Sequence, residues 1–350
     1  MGTIITTWGR ALLPSLLALL SALVVVALGL WMTGASTVTV FSALLAGAGG
    51  DAYRLTETCV KTSPLLYTGL AVTLALHAGV WNIGAEGQFL LGALATASVG
   101  TYVAVLPSVL GIPIVFGVAM LAGSLWAAIA AYLKTKRGVN EVISTIMLNF
   151  IAAGLVSYCI HGPLMESAGQ YPQTDPLPTS VLLPRLLPPT RLHLGVPLMV
   201  VCTIGVGFFL FRTKAGFQLR ATGANPLAAR LAGIHVERQT HLAFLLSGAL
   251  AGLAGAIEVS GITQRVYEKF SPGYGYTAIA VALVGQRSPL GVLLAATFFG
   301  ALDAGSGTMQ RIAGVSSVLV AVIQATLVFF LAVYNTDTAQ QLLLRKKNQQ

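Results

Sequence analysis

Ile112-Pro-Ile-Val-Phe-Gly-Val-Ala-Met-Leu-Ala-Gly-Ser-Leu-Trp-Ala-Ala-Ile-Ala-Ala-Tyr-Leu133, followed at once by Lys134-Thr-Lys-Arg137, decides the class of this chain. The run carries no charge over 22 residues. A helix of about 20 apolar residues crosses a hydrocarbon core of about 30 Å. The basic cluster behind it marks the cytoplasmic end of such a span. Working outward, further apolar runs cover 11–31, 64–80, 88–106, 142–160, 194–211, 242–261, 276–284, 291–301 and 315–334. Ten spans are therefore expected. Two of them, 276–284 and 291–301, read as half-length or broken, parted by Gln286, Arg287, Ser288 and Pro289. The fold class is an all-α polytopic membrane protein, with residues 1–350 as one transmembrane domain.

The composition agrees. Only 31 of 350 residues are charged, about 9%, and the mean hydropathy is +0.81. Soluble domains carry roughly 25% charged residues. A soluble enzyme, a disordered chain, a collagen-like chain and a secreted disulfide scaffold are all excluded. The net charge of +9 does not point to nucleic acid, because the basic residues sit between apolar runs without interleaved aromatics. Cys59, Cys159 and Cys202 show no metal-ligand spacing and read as small apolar residues. No catalytic triad or zinc motif is present, so no catalytic residue and no metal ligand is assigned. Run 11–31 exceeds the roughly 7–15 residues of a signal-peptide core and reads as a retained span.

Orientation follows from the basic residues. With the N-terminus inside and ten alternating spans, the interior holds Arg10, Lys134, Lys136, Arg137, Arg212, Lys214, Arg220, Arg230, Arg238, Arg287, Arg345, Lys346 and Lys347, which is 13 of 20. Both termini are then cytoplasmic. One turn breaks the pattern. Residues 81–87 should face the cytoplasm, yet they hold no Lys or Arg; Asn82, Glu86 and the adjoining Gln88 stand there instead. Such a polar break is tolerated at membrane depth only where protein buries it or it lines a cavity. The Pro-rich stretch 163–189 reads as an ordered loop outside the membrane.

Residues 212–241 form a cytoplasmic segment too polar to span. Within it Asn225 suits a helix N-cap, Pro226 the first helical position, and Gly233 the residue past the end. The two turns between are about 10 Å long. Leu227, Ala228, Leu231 and Ala232 give them a small apolar face, and Arg220, Arg230 and Arg238 flank it. The chain has no GxxxxGK[ST] loop to cradle ATP. An ATP-driven transporter built on it needs a separate ATPase, holding the ATP and magnesium, and a helix that docks on that partner. This chain itself would carry no cofactor.

Four stretches carry a family resemblance. Asn82-Ile-Gly-Ala-Glu-Gly-Gln88 with Phe-Leu-Leu-Gly92, and Gly138-Val-Asn-Glu-Val-Ile-Ser-Thr-Ile-Met-Leu-Asn149, resemble two signatures of ABC-importer permeases for nucleosides and simple sugars. Residues 223–233 with Ile234-His-Val236 resemble that family's coupling segment, and 275–285 its late broken span. The family is related to the ribose and branched-chain amino acid permeases, and the likeness covers about 53–334. It implies the fold of vitamin B12-type importers. It further implies a second permease chain, like or unlike this one, ATP-binding subunits, an external substrate-binding protein and a place in the bacterial inner membrane. It places coupling on Asn225, Pro226, Ala228, Ala229, Arg230, Leu231 and Gly233.

Charges at mid-helix cost about 2.5–3.5 kcal/mol by insertion scales, so polar residues inside the runs are functional candidates. Asn82, Glu86, Gln88, Asn140, Glu141 and Asn149 are the expected substrate path, since amides and carboxylates pair with base edges and ribose hydroxyls. Glu258 and Asp303 are the other intramembrane acids. The leading expectation is a nucleoside permease subunit. A permease for simple sugars is the alternative, followed by an ion-coupled transporter using Glu86 or Asp303. The small residues of 247–256 read as helix packing.

Overall fold

A computed structural model describes residues 2–32 and 34–334; over 2–16 it gives the course of the helix alone. Arg345, Lys346 and Lys347, which supported an interior C-terminus, lie outside the described residues. The described chain forms thirteen α-helices. They are α1 (Gly2–Met32), α2 (Thr37–Gly49), α3 (Ala52–His77), α4 (Ala85–Gly100), α5 (Ser108–Arg137), α6 (Glu141–His161), α7 (Gly195–Arg212), α8 (Lys214–Ala224), α9 (Pro226–Leu231), α10 (Val236–Glu258), α11 (Tyr274–Val284), α12 (Pro289–Ala313) and α13 (Val318–Tyr334). A single π turn, Val259–Thr263, prolongs α10. Among the described residues the only strand-like pairings are two isolated bridges.

Among the described residues six helices are long and apolar enough to cross a membrane: α3, α5, α6, α7, α10 with its π turn, and α12. One sequence expectation needs correction here. Run 291–301 is no half-span, because α12 continues for 25 residues through Asp303 to Ala313. The small residues Gly300, Ala301, Ala304, Gly305 and Gly307 lower its hydropathy without breaking it, and Asp303 accepts a hydrogen bond from Gln324 at 3.2 Å. Run 276–284 is short, as expected. Helices α2 and α8 were not expected at all.

The chain divides into two compact units, 1–58 with 301–350, and 59–300. In the first, α1 packs along α13, and Ser21 and Tyr334 share a hydrogen bond of 2.9 Å. There α2 lies so close to the end of α12 that a Cβ on Gly305 would stand 2.3 Å from the Leu44 carbonyl.

The second unit is built on α4, α5 and α10. The small residues of α10 let them meet almost backbone to backbone. A Cβ on Gly123 of α5 would lie 2.1 Å from the Gly248 carbonyl, and one on Gly255 would lie 2.1 Å from that of Phe89 in α4. Both small faces of α10 are thus consumed inside the chain. Helix α5 stops where Gly138 takes a left-handed conformation (φ +66°), and its N–H and that of Val139 return to Lys134 and Leu133. Its last turn carries Lys134, Lys136 and Arg137, where cations favour the helix dipole. Asn140 then caps α6, accepting from the Val142 N–H at 2.8 Å.

The unit has two distinct ends. At the basic end, Lys136 pairs with Glu237 at 2.8 Å, and His77 hydrogen-bonds the Arg287 carbonyl at 2.9 Å. The His77 ring also meets Phe211 of α7 edge-on, so the turns after α3, α7 and α11 meet, while the end of α5 meets the start of α10. At the other end the Pro-rich loop folds down on α10. Its backbone N–H groups at Leu183, Leu177 and Thr174 donate to Ser260, Gln264 and Val266 at 2.9, 2.7 and 2.8 Å. His193 anchors this loop and is completely buried, its Nδ1 accepting from the Gly195 N–H at 3.1 Å.

Candidate functional site

The break between α3 and α4 organises the interior of the second unit. Helix α3 closes at Gly79 (φ +74°), with Val80 N–H donating to Ala75 and Gly79 N–H to Leu76. Asn82 follows at 1% exposure. Its Nδ2 donates to Gln88 Oε1 at 2.9 Å and to Ser247 Oγ of α10 at 2.8 Å. Its Oδ1 accepts from the Gly84 N–H at 3.0 Å and from Gln88 Nε2 at 3.1 Å. The residue thus shapes the turn and fastens it to α10.

Asn149 does the same from α6. Its Oδ1 accepts from the Gly87 N–H at 2.8 Å, and its Nδ2 donates to the Ile83 carbonyl at 2.9 Å and to the Tyr276 hydroxyl at 3.3 Å. Glu86 reaches α11, where the Gly275 N–H donates to Oε2 at 2.7 Å and Ser271 adds a second hydrogen bond. Gly275 is required at that spot, because a Cβ there would stand 2.2 Å from the Glu86 nitrogen. Asn82, Glu86, Gln88 and Asn149 are therefore brought together, buried and hydrogen-bonded to one another's helices. Buried polar groups left unpaired would be costly, and this knot pairs them.

Asn140 and Glu141 stand apart from the knot. Asn140 is an exposed cap. Glu141 pairs with Lys134 at 2.7 Å and takes a hydrogen bond from the Trp81 backbone, so it clips α5, α6 and the break together at the basic end. Sequence reasoning missed Ser247, Ser271 and Tyr276. Ser247 hides in a run of packing residues. Tyr276 lies in the first turn of the short α11 and, at 44% exposure, is the most exposed member of the knot. Trp126 donates to the Leu148 carbonyl at 3.3 Å and ties α5 to α6.

The second candidate region is α9. Asn225 caps it as its sequence foretells, accepting from the N–H groups of Leu227 and Ala228 at 3.0 Å each. Gly233 closes it at φ +79°. The apolar face is uncovered, with Leu227 68% and Leu231 84% exposed. Ala229 alone turns inward, at 4%. Within the expected set, then, Asn225, Pro226, Ala228, Arg230, Leu231 and Gly233 stand at the surface, and Ala229 is the anchor. Arg230, Arg238 and Glu237 border a concavity of about 540 Å³ just after the helix.

Glu258 ends α10 buried, and its Oε2 has no hydrogen-bond partner among the described residues.

Known proteins share this pattern. The profile of the permease component of branched-chain amino acid transport systems matches residues 54–334. The glucose ABC transporter permease protein TsgB13 of Haloferax volcanii is 38% identical over 328 residues, 90% of this chain and 85% of its own. The guanosine ABC transporter permease protein NupP of Bacillus subtilis is 36% identical over 92% of this chain and 93% of its own. The nucleoside ABC transporter permease protein NupB of Lactococcus lactis is 30% identical over 93% and 91%. With long apolar helices, a knotted polar break and an uncovered capped helix, the chain belongs to the branched-chain amino acid transport permease family, whose members include ABC transporter permeases for nucleosides and for glucose.

Proposed function

We propose that this chain is the membrane subunit of an ATP-driven importer for nucleosides, that it docks on a separate ATP-binding chain through α9, and that it pairs with a second permease chain and an external substrate-binding protein. The observation that carries the reading is α9: a capped helix of six residues whose two leucines face outward beside Arg230. Exposed leucines at four-residue spacing on a rigid, charged-rimmed helix suit insertion into a partner's cleft. The basic end of the second unit would face the cytoplasm, with both termini on that side and residues 212–241 as the coupling segment. The helices would follow the ten-span arrangement of vitamin B12-type importers, in the bacterial inner membrane.

Nucleosides are favoured because NupP and NupB, named for guanosine and nucleosides, match this chain over more than nine-tenths of its length. TsgB13, named for glucose, supports a second reading in which the cargo is a simple sugar. Both cargoes present a ring with hydroxyls. Asn82, Glu86, Gln88 and Asn149 would frame the path, with Asn140 and Glu141 at its basic end, and Tyr276 would offer its ring to the cargo. Uptake of labelled guanosine and labelled glucose by cells carrying the full transporter separates the two. Guanosine uptake undiminished by excess glucose is expected; glucose uptake undiminished by guanosine would overturn the nucleoside reading.

A further inference from the structure

Two glycines place the base of α9 directly against the polar break. Gly223 is the penultimate residue of α8, two residues before the Asn225 cap. A Cβ on Gly223 would lie 2.2 Å from the His77 carbonyl, 2.7 Å from the Gly79 nitrogen and 2.8 Å from the Ala78 carbonyl carbon. From the other side, a Cβ on Gly79 would meet the Gly223 Cα at 3.0 Å. No side chain cushions this contact, so the two backbones touch. Three residues beyond Gly79 stands Asn82, the centre of the knot.

The surroundings make the contact stiff. Helix α8 is held at its start by Gly216, whose Cβ would stand 2.0 Å from the Phe209 carbonyl. Arg220 donates to the Leu210 carbonyl at 3.0 Å and lies over the Phe211 ring. Gln239 of α10 donates to Gln218 of α8 at 3.1 Å. The His77 ring meets Phe211 edge-on and the Arg287 carbonyl just after α11. The His77–Gly79 turn thus touches the base of α9 and the end of α11, and leads into the break. Close-packed backbone transmits a displacement because it has no room to absorb it.

We propose that the Gly223–Gly79 contact carries movement of α9 into the polar break, and that Gly223 is a positioning residue of the transport cycle. This rests on the reading of α9 as the docking helix. The test uses the complete transporter in proteoliposomes, with its ATP-binding chain and external binding protein, and reads assembly, ATP hydrolysis and uptake separately. Gly223→Ala should still assemble and hydrolyse ATP, while uptake per ATP falls at least tenfold. Gly205→Ala, where a Cβ would meet nothing within 4 Å, should leave that ratio unchanged. Normal uptake per ATP in Gly223→Ala would overturn the proposal. Should Gly223→Ala not assemble, the unmutated chain still decides. The emission of Trp81, isolated by difference against Trp81→Phe, should shift when ATP is added to the complex, and an unchanged emission would overturn the proposal. If Leu227→Glu with Leu231→Glu still assembles, the docking reading fails instead. If that variant loses assembly while Gly223→Ala transports normally, only the relay fails.

Discussion

At the residue scale, the signature positions act mainly as fasteners. Asn149 holds the Gly87 N–H, the Ile83 carbonyl and the Tyr276 hydroxyl at once. Removing its amide leaves buried backbone groups unpaired, each worth about 1–3 kcal/mol. Asn149→Ala should lower the thermal unfolding midpoint in detergent, whereas Asn140→Ala, which removes only an exposed cap, should cost about 1 kcal/mol. Equal melting of the two variants would contradict this ranking. His193 gives a pH signature. Burial, with the Arg191 charge nearby, lowers its pKa from 6.5 to about 4. Between those values the unfolded chain binds a proton that the folded chain refuses, so stability is full above pH 6.5 and falls as pH drops towards 4. The loss reaches about 3 kcal/mol at most. Unfolding measured from pH 7 to 4 should therefore show a shallower slope in His193→Phe than in the unmodified chain. The types and spacing of Asn82, Gln88 and Asn149 were legible in the sequence as polar interruptions of apolar runs. Their partners were not, because Ser247 and Gly275 lie far along the chain and only the packing of α10 and α11 brings them close.

At the element scale, local rules found α9 and misjudged α12. The N-cap of α9 is set by Asn225 and Pro226, its end by Gly233, and short-range geometry alone suffices for both. Which side of α9 faces inward was beyond the sequence: Ala229 is buried and Leu227 exposed, the reverse of what hydropathy favours. Helix α12 looked broken because glycine and Asp303 dilute its apolar character, and tertiary packing against α2 and α13 overrides that signal. Helix α8 escaped notice since its eleven residues are too few and too mixed to read as a span, and its glycines serve close contacts. The docking role of α9 predicts that Leu227→Glu with Leu231→Glu abolishes co-purification with the ATP-binding chain and reduces uptake at least tenfold, with thermal stability within about 0.5 kcal/mol, as befits exposed positions. Retained co-purification would contradict it. Ala229→Glu should instead destabilise the fold, as a charge forced into a buried site does.

At the scale of the whole molecule, the chain supplies long apolar helices and a polar break but lacks the loop that binds ATP phosphates. Its basic residues cluster at one end of the second unit, a distribution that suits the proposed orientation and docking better than nucleic-acid binding. In the proposed reading the energy for transport comes from another chain, and the competing account, an ion-coupled transporter working through Glu86 or Asp303, is separated by the source of that energy. Glu86 and Asp303 each have hydrogen-bond partners within the chain. The most direct measurement is guanosine uptake into proteoliposomes holding this permease, its ATP-binding chain, the second permease and the external binding protein. Uptake that requires internal ATP hydrolysis and persists when ionophores collapse every ion gradient is the predicted result. Uptake that continues without ATP and stops when the gradients collapse would contradict the account.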